Sequence, residues 1–246
     1  MRVKNSLLNF KDKVIYQDDD GFLFSLDTVL LANFVTINLK DKNIIDLCSG
    51  NAPIPMLLSF RTKARIFGVE IQKDIYELGF ASVEENKMGD QIKLLNMDVK
   101  DLKNSFPAES FDVVTCNPPY FKYQEDSLIN RGLKKSIARH EILIKLDEII
   151  EISFYLLRNG GTFAMVHRPE RLIEILELMK KNNIEPKKIR FVYPKADRDA
   201  NMVLIEGIKN GKSGLKLLSP LITHDDLGNY CMEIKKMFGD DRDVAE

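Results

Sequence analysis

Apolar residues fall along this chain in two rhythms, and the rhythms alternate. Residues 42–47, 64–70, 91–97, 111–116 and 162–167 are short apolar runs bounded by turn residues, which predicts buried strands. Between them, residues 53–61, 73–88, 143–157 and 169–182 carry apolar positions three and four apart, which predicts helices. Leu172, Ile175, Leu176 and Met179 share one such face, and Ile75, Leu78 and Val83 share another. Pro53 suits the first turn of its helix. Asn159-Gly160-Gly161 reads as the C-terminal cap of the helix over 143–157. Residues 188–193 and 202–208 are two later strands with only a polar loop between them.

Strands that alternate with helices imply right-handed crossovers and a mainly parallel sheet. The last pair, with no helix between its members, implies a closing antiparallel hairpin. The expected fold is α/β, with a seven-stranded, mainly parallel sheet over residues 41–235. Residues 1–40 form a preface to it, expected to pack over a ligand site. Residues 236–246 form an acidic tail expected to fray. No internal repeat and no second domain is visible.

Composition narrows the class. With 44% apolar and 30% charged residues in a chain of 246, a sizeable soluble core is available. The net charge of -1 gives no global basic field, so any nucleic-acid contact has to come from local clusters. Cys48, Cys116 and Cys231 are far apart, odd in number and free of any CxxC spacing, which fits free thiols in a reducing cytoplasm. No apolar run is long enough to span a bilayer. His140, His167 and His224 are scattered without metal-ligand spacing, so no metal is expected. Nothing demands a dimer, and a monomer is expected.

The chemistry gathers where strands end. The first four strands close on Asp46, Glu70, Asp98 and Asn117, and in an open parallel sheet those ends line one edge, where ligands bind. Small residues follow Asp46 in Cys48-Ser49-Gly50-Asn51, and Gly50 allows the backbone to approach a ligand closely. Neither GxGxxG nor GxxxxGK[ST] is present, so a phosphate cradle is poorly supported. Glu70 is placed to accept from two ribose hydroxyls. Asp98 is placed to accept from an adenine amino group, while Val99 offers a backbone N–H. A ligand with ribose, adenine and no long phosphate chain is implied, and S-adenosyl-L-methionine fits. Each acid taken singly is equally a solvated loop carboxylate or a helix cap.

Asn117-Pro118-Pro119-Tyr120 is the sharpest signal. Paired prolines end the strand and fix a rigid bracket. The Asn117 side-chain oxygen and the Pro118 carbonyl can accept both hydrogens of an NH2 group. The Tyr120 ring can stack on the plane that carries that group, with Phe121 as a possible neighbour. Arg131, Lys134, Lys135 and Arg139 follow in the next loop. Lys187, Lys188, Arg190, Lys195 and Arg198 cluster on the late strands. Either group is equally read as a solvated face.

The motif order resembles that of class I S-adenosylmethionine-dependent methyltransferases with a Rossmann-like sheet, and the Asn-Pro-Pro-Tyr is similar to that of the amino-methylating subgroup. More narrowly, the chain resembles the bacterial tRNA1(Val) adenine-37 N6-methyltransferase family. That resemblance rests on the run over 21–32 (GFLFSLDTVLLA), on Asp46-Leu47-Cys48-Ser49-Gly50-Asn51, on Asn117-Pro118-Pro119-Tyr120 and on Arg139-His140-Glu141. It implies S-adenosyl-L-methionine as cofactor, held by Asp46, Cys48, Gly50, Glu70, Asp98, Val99 and Asn117. It implies catalysis by Asn117, Pro118 and Tyr120. It implies a tRNA substrate met by Tyr120, Phe121, Lys134, Lys135 and Arg139. Ser25 and Asp27 fall where that family's leading segment covers the cofactor. The chain has Ala52 where the family carries a second glycine, which is expected to crowd the methionine end of the cofactor. Guanine N2 and glutamine amide are alternative acceptors, and a non-catalytic cofactor- or RNA-binding module is the alternative from a different class. A nucleotide-binding oxidoreductase is disfavoured by the missing GxGxxG.

Overall fold

The computed structural model describes residues 2–10, 12–18, 25–118 and 144–239. The chain opens with an antiparallel hairpin, β1 (Arg2–Ser6) and β2 (Val14–Asp18), and then helix α1 (Leu26–Phe34). β3 (Asn43–Leu47) is central in the main sheet. It pairs in parallel with β4 (Arg65–Glu70) on one side and β6 (Phe111–Cys116) on the other. β5 (Ile92–Asn96) extends the β4 side, and β7 (Leu157–His167) extends the β6 side, both in parallel. β9 (Met202–Lys209) lies antiparallel between β7 and β8 (Ile184–Tyr193). The sheet has two strands more than the seven predicted. β10 (Lys216–Leu217) and β11 (Leu221–Ile222) add in parallel to the outer edge of β8. Two residues carry no readable period, which is why the sequence does not reveal them.

Strand alternation divides the interior between two faces. Ile44, Ile66, Val113, Ala164 and Leu204 point to one core, which α1, α2 (Pro53–Ser59), α3 (Lys73–Glu85) and α7 (Met232–Phe238) cover. Ile45, Val69, Val114, Phe163 and Ile205 point to the other, under α5 (Leu146–Leu156) and α6 (Leu172–Lys181). Between β5 and β6 a short turn leads into the one-turn helix α4 (Leu102–Ser105). A sheet covered on both faces needs continuous apolar strands, and these strands supply them.

Several boundaries differ from the sequence reading, three of them with a plain physical reason or consequence. Asn159-Gly160-Gly161 is not a helix cap, because α5 ends at Leu156 and these residues lie within β7. Gly160 has φ 74°, and the β6–β7 register shifts between Phe111 and Val113. A Cβ on Gly161 would sit 3.0 Å from the Asp112 carbonyl oxygen. The glycines therefore serve a strand irregularity, a role glycine fills as readily as a cap. β5 ends at Asn96, two residues before Asp98. Helix α7 runs through residues 236–238 of the expected tail, and Gly239 closes it at φ 101°.

The preface is tied to the main domain at both ends. Asn86 donates to the Val14 carbonyl at 2.7 Å, and Tyr16 N–H donates to Ser82 Oγ at 2.9 Å, which docks β2 on α3. The Arg61 guanidinium donates to the carbonyls of Ala32 and Val35. It thus sets a cation and two donors at the C-terminus of α1, where the helix dipole favours both. Among the described residues no helix is long and apolar enough to cross a membrane. Nor do they contain a group of three or more His, Cys, Asp or Glu that would hold a metal ion.

His167 ends β7 fully buried, and its Nδ1 accepts the Arg168 N–H at 2.8 Å. Burial, then the charge of Arg171, lowers its pKa from 6.5 to about 4. Between these values the unfolded chain binds a proton that the folded chain refuses, so His167 withdraws stability as pH falls, by up to about 3 kcal/mol. Two raised carboxyl groups described below act in the opposite sense, so the clean observable is a difference between proteins. In urea titrations His167→Gln is expected to be the less stable protein at neutral pH. It should then gain on the wild type by up to about 3 kcal/mol as pH falls across that window. Parallel pH profiles would refute the assignment.

Candidate active site

Sheet order reverses direction at β3 and β6, and the site residues collect at the carboxyl ends around that switch. Asp46 is fully buried near the end of β3. Its Oδ1 accepts from Thr115 Oγ on β6 at 2.6 Å, and its Oδ2 has no hydrogen-bond partner. Burial pushes its carboxyl well above the usual range; the Thr115 bond draws it back, and the nearby Glu70 charge raises it further.

The loop after β3 doubles back on itself. Cys48, Gly50 and Ala52 all adopt left-handed backbone, with φ of 58°, 56° and 70°. Left-handed geometry costs a residue with a Cβ about 1–2 kcal/mol, so tertiary contacts have to hold it. They do: Ser49 N–H donates to the Val69 carbonyl at 2.8 Å, and Gly50 N–H donates to Glu70 Oε2 at 3.0 Å. Asn51 Nδ2 donates to the Tyr16 carbonyl at 2.9 Å, which joins the loop to the hairpin. Two glycines outside the loop make room for it. A Cβ on Gly68 would lie 3.0 Å from Ser49 Oγ, and one on Gly79 would lie 3.1 Å from the Asn51 carbonyl carbon. Ala52 is fully buried, and its methyl lies beside Gly79 of α3. The glycine the resemblance anticipates here would answer the left-handed backbone.

Glu70 closes β4 nearly buried. Its two oxygens take the N–H groups of Gly50 and of Gln72, the latter at 2.9 Å. Burial raises its pKa, and those N–H donors oppose the rise. Glu70 therefore pins the loop and the start of α3 together, and the Gln72 side-chain amide donates to the same Oε1 at 3.5 Å. Asp98 lies beyond the strand end and caps the short turn over 99–101, accepting the Lys100 N–H at 2.9 Å. Its side chain also lies 3.4 Å from Lys100 Nζ, and Val99 beside it is buried. The cap and the candidate acceptor are thus the same carboxylate.

β6 ends at buried Cys116. Burial, then the adjoining Cys48 thiol and Asp46, push its thiol well above the usual range. Asn117 follows, half-buried, and its Nδ2 donates to Thr28 Oγ1 at 3.3 Å. Thr28 belongs to α1, where the Asp27 carboxylate accepts from Ser25 Oγ and, at 2.9 Å, from the Thr28 N–H. Pro118 is buried beside Asn117. The structure thus brings Asp46, Cys48, Gly50, Glu70, Asn117 and Pro118 to one sheet edge, with Asp98 and Val99 one strand further out. Tyr120, Phe121, Arg131, Lys134, Lys135, Arg139 and His140 lie outside the described residues. The late basic cluster is not a uniform cationic face. Lys188 pairs with Glu206 at 3.0 Å, Arg190 pairs with Glu233 at 2.6 Å, and Lys195 donates to the Asp226 carbonyl.

Sequence reasoning gave no role to Thr28, Gly68 or Gly79. Thr28 sits in the quoted run over 21–32, but no period marks it as facing a strand end 89 residues away. The two glycines lie inside a strand and a helix, where glycine is unfavourable without a packing reason, and that was the available signal.

Residues 25–182, more than half of the chain, match the family model of the methyltransferase small domain. A tRNA1(Val) (adenine(37)-N6)-methyltransferase of Phocaeicola vulgatus is 26% identical over 201 residues, covering 82% of this chain and 83% of that one. A protein of the same name from Flavobacterium johnsoniae is 24% identical over 212 residues, covering 86% and 88%. Among solved structures, a predicted O-methyltransferase from Agrobacterium tumefaciens superposes with a TM-score of 0.70 at 22% identity, over 87% of this chain and 95% of that one, a likeness of fold. With strand order, strand-end acids and matched residues in agreement, the chain belongs to the methyltransferase small domain family.

Proposed function

We propose that the protein methylates an adenine N6 in tRNA, with S-adenosyl-L-methionine as the methyl donor and, following its relatives' names, adenine-37 of tRNA1(Val) as the target. The observation that carries the reading is Asn117, an amide held half-buried at the switch edge one residue after β6 and beside the buried Asp46–Thr115 pair. The enzyme is expected to act in the cytoplasm as a monomer.

The residues present fit the cofactor. Asp46 Oδ2 is a buried acceptor without a partner, as an amino group would require. Glu70 is the proposed acceptor for ribose hydroxyls, and Asp98 with Val99 the proposed acceptor and backbone N–H for adenine. Gly50 presents an open side, since a Cβ there would meet nothing within 4 Å. Bound S-adenosyl-L-methionine would supply a methyl group already activated on a sulfonium, the sulfur keeping the S–CH3 bond pair and leaving as a neutral thioether while the acceptor nitrogen sheds one of its two hydrogens as a proton. What remains for the chain is to hold the acceptor. Adenine N6 is a poor nucleophile because its lone pair is delocalised into the ring. Acceptance of its two hydrogens by Asn117 Oδ1 and the Pro118 carbonyl localises that pair and aims it, so positioning and electrostatics carry the rate. The base has to leave its stack to reach this edge, and Tyr120 is the proposed stacking face. Lys134, Lys135 and Arg139 are the proposed phosphate contacts.

The test is transfer of labelled methyl to tRNA from cells lacking this gene, read by nucleoside mass spectrometry. N6-methyladenosine is the expected product. N2-methylguanosine, or label in protein alone, would overturn the adenine assignment. Asn117→Ala is expected to lower kcat by roughly 100-fold or more while cofactor binding persists; unchanged transfer would remove Asn117 from the mechanism. Gly50→Ala separates the loop's two duties. It should cost about 1 kcal/mol of folding stability for its left-handed backbone. It should also weaken cofactor binding roughly tenfold, a further 1.4 kcal/mol or about that, by filling the open side. Unchanged affinity in calorimetry would place the ligand elsewhere.

A further inference from the structure

Asn117 is useful to an amine only in one of its two orientations. A carboxamide carries an acceptor at one end and two donors at the other, in nearly the same shape. Presented by its oxygen, Asn117 receives an amine hydrogen; presented by its NH2, it sets donor against donor. Nothing in the covalent structure of the side chain chooses between them, so its use depends on how the side chain is held.

We propose that Thr28 does this, as a positioning residue whose hydroxyl accepts an amide hydrogen of Asn117 and so anchors the side chain with Nδ2 toward α1 and Oδ1 directed away from it, toward the substrate amine. The inference rests on the reading of Asn117 given under the proposed function. Asn117 Nδ2 donates to Thr28 Oγ1 at 3.3 Å, joining the first turn of α1 to the end of β6. Thr28 is buried, so this bond meets little competition from water. Its hydroxyl is also held in place. The Thr28 N–H is fixed by Asp27 Oδ1 at 2.9 Å and by the Ser25 carbonyl at 3.1 Å. Val29, Leu30 and Leu31 lock the following turn into the core. At its far end α1 is capped by Arg61. In a helix χ1 of threonine divides between two rotamers, and the bond to Asn117 belongs to the one seen here. The leading segment thereby contributes to the reaction without touching the substrate, through the orientation of one amide.

The experiment compares wild type, Thr28→Val, Thr28→Ser, Asn117→Ala and the Thr28→Val/Asn117→Ala double variant. Each is assayed for methyl transfer to tRNA, for KM of both substrates and for thermal unfolding. Valine keeps the shape and removes the hydroxyl; serine keeps the hydroxyl. Thr28→Val is expected to lower kcat roughly tenfold, the scale of one misplaced contact, with both KM values little changed. Thr28→Ser should restore most of the rate. The double variant should be no slower than Asn117→Ala alone, because the hydroxyl acts only through that amide. Wild-type kcat in Thr28→Val would overturn the proposal, as would losses that multiply in the double variant. A slow Thr28→Ser that unfolds like the wild type would do the same. If Thr28→Val fails to fold, Thr28→Ser and Thr28→Ala take its place, and a hydroxyl-free variant as fast as serine sinks the idea. Asn117→Ala at wild-type rate is a different result, since it dismisses the underlying reading of the site.

Discussion

One buried hydrogen bond spans the place where this sheet changes direction. Thr115 on β6 donates to Asp46 on β3, and the two are register partners in a parallel pair. Crossovers run away from that point on both sides, and the first turn of α1 meets Asn117 at this edge. A carboxylate buried there is costly unless it is partnered, and only one of its oxygens is. The fold tolerates that cost at a position where a ligand's donor completes the set. Register, strand order and site geometry all return to this pair, because a slip of one residue in β6 would turn Thr115 to the opposite face.

Around this edge, loop and helix backbone is tied down by groups from elsewhere. The loop over 48–52 is held by Glu70, by Val69 and by Asn51 reaching the hairpin. α1 is held by Arg61 at its end, and Thr36 just beyond it donates twice to Glu206 on β9. Glu206 also meets Lys188 on β8. The preface is therefore stitched to the middle of the sheet and to its antiparallel edge, and the position of Thr28 inherits the rigidity of both.

Much of this was legible in the sequence where the signal was periodic or covalent. Strands buried on both faces show as unbroken apolar runs, so β3, β4, β6 and β7 were recognisable, as was the half-exposed edge strand β5 from its apolar core, and strand-end acids followed from them. Legibility failed where one residue type serves two geometries. Asn159-Gly160-Gly161 satisfies a helix cap and a strand irregularity equally well, and only the partner strand decides. Asp98 was readable as cap or as acceptor, and the fold gives it the cap without excluding the second use. Lys188 and Arg190 looked like a cationic face because Glu206 and Glu233, which neutralise them, are distant in sequence. Thr28 was invisible for the same reason, since its importance lies in a contact across the fold.

The left-handed residue at position 52 has a consequence beyond its own strain. Its methyl lies 3.3 Å from where a side chain at position 79 would begin, so loop and helix share space for a single methyl group. The two positions are therefore not independent in the protein's history. A glycine at 52 would relax the backbone and remove one of three contacts that confine residue 79, while the Asn51 carbonyl carbon and Leu94 Cδ1, both nearer at 3.1 Å, would still favour glycine there.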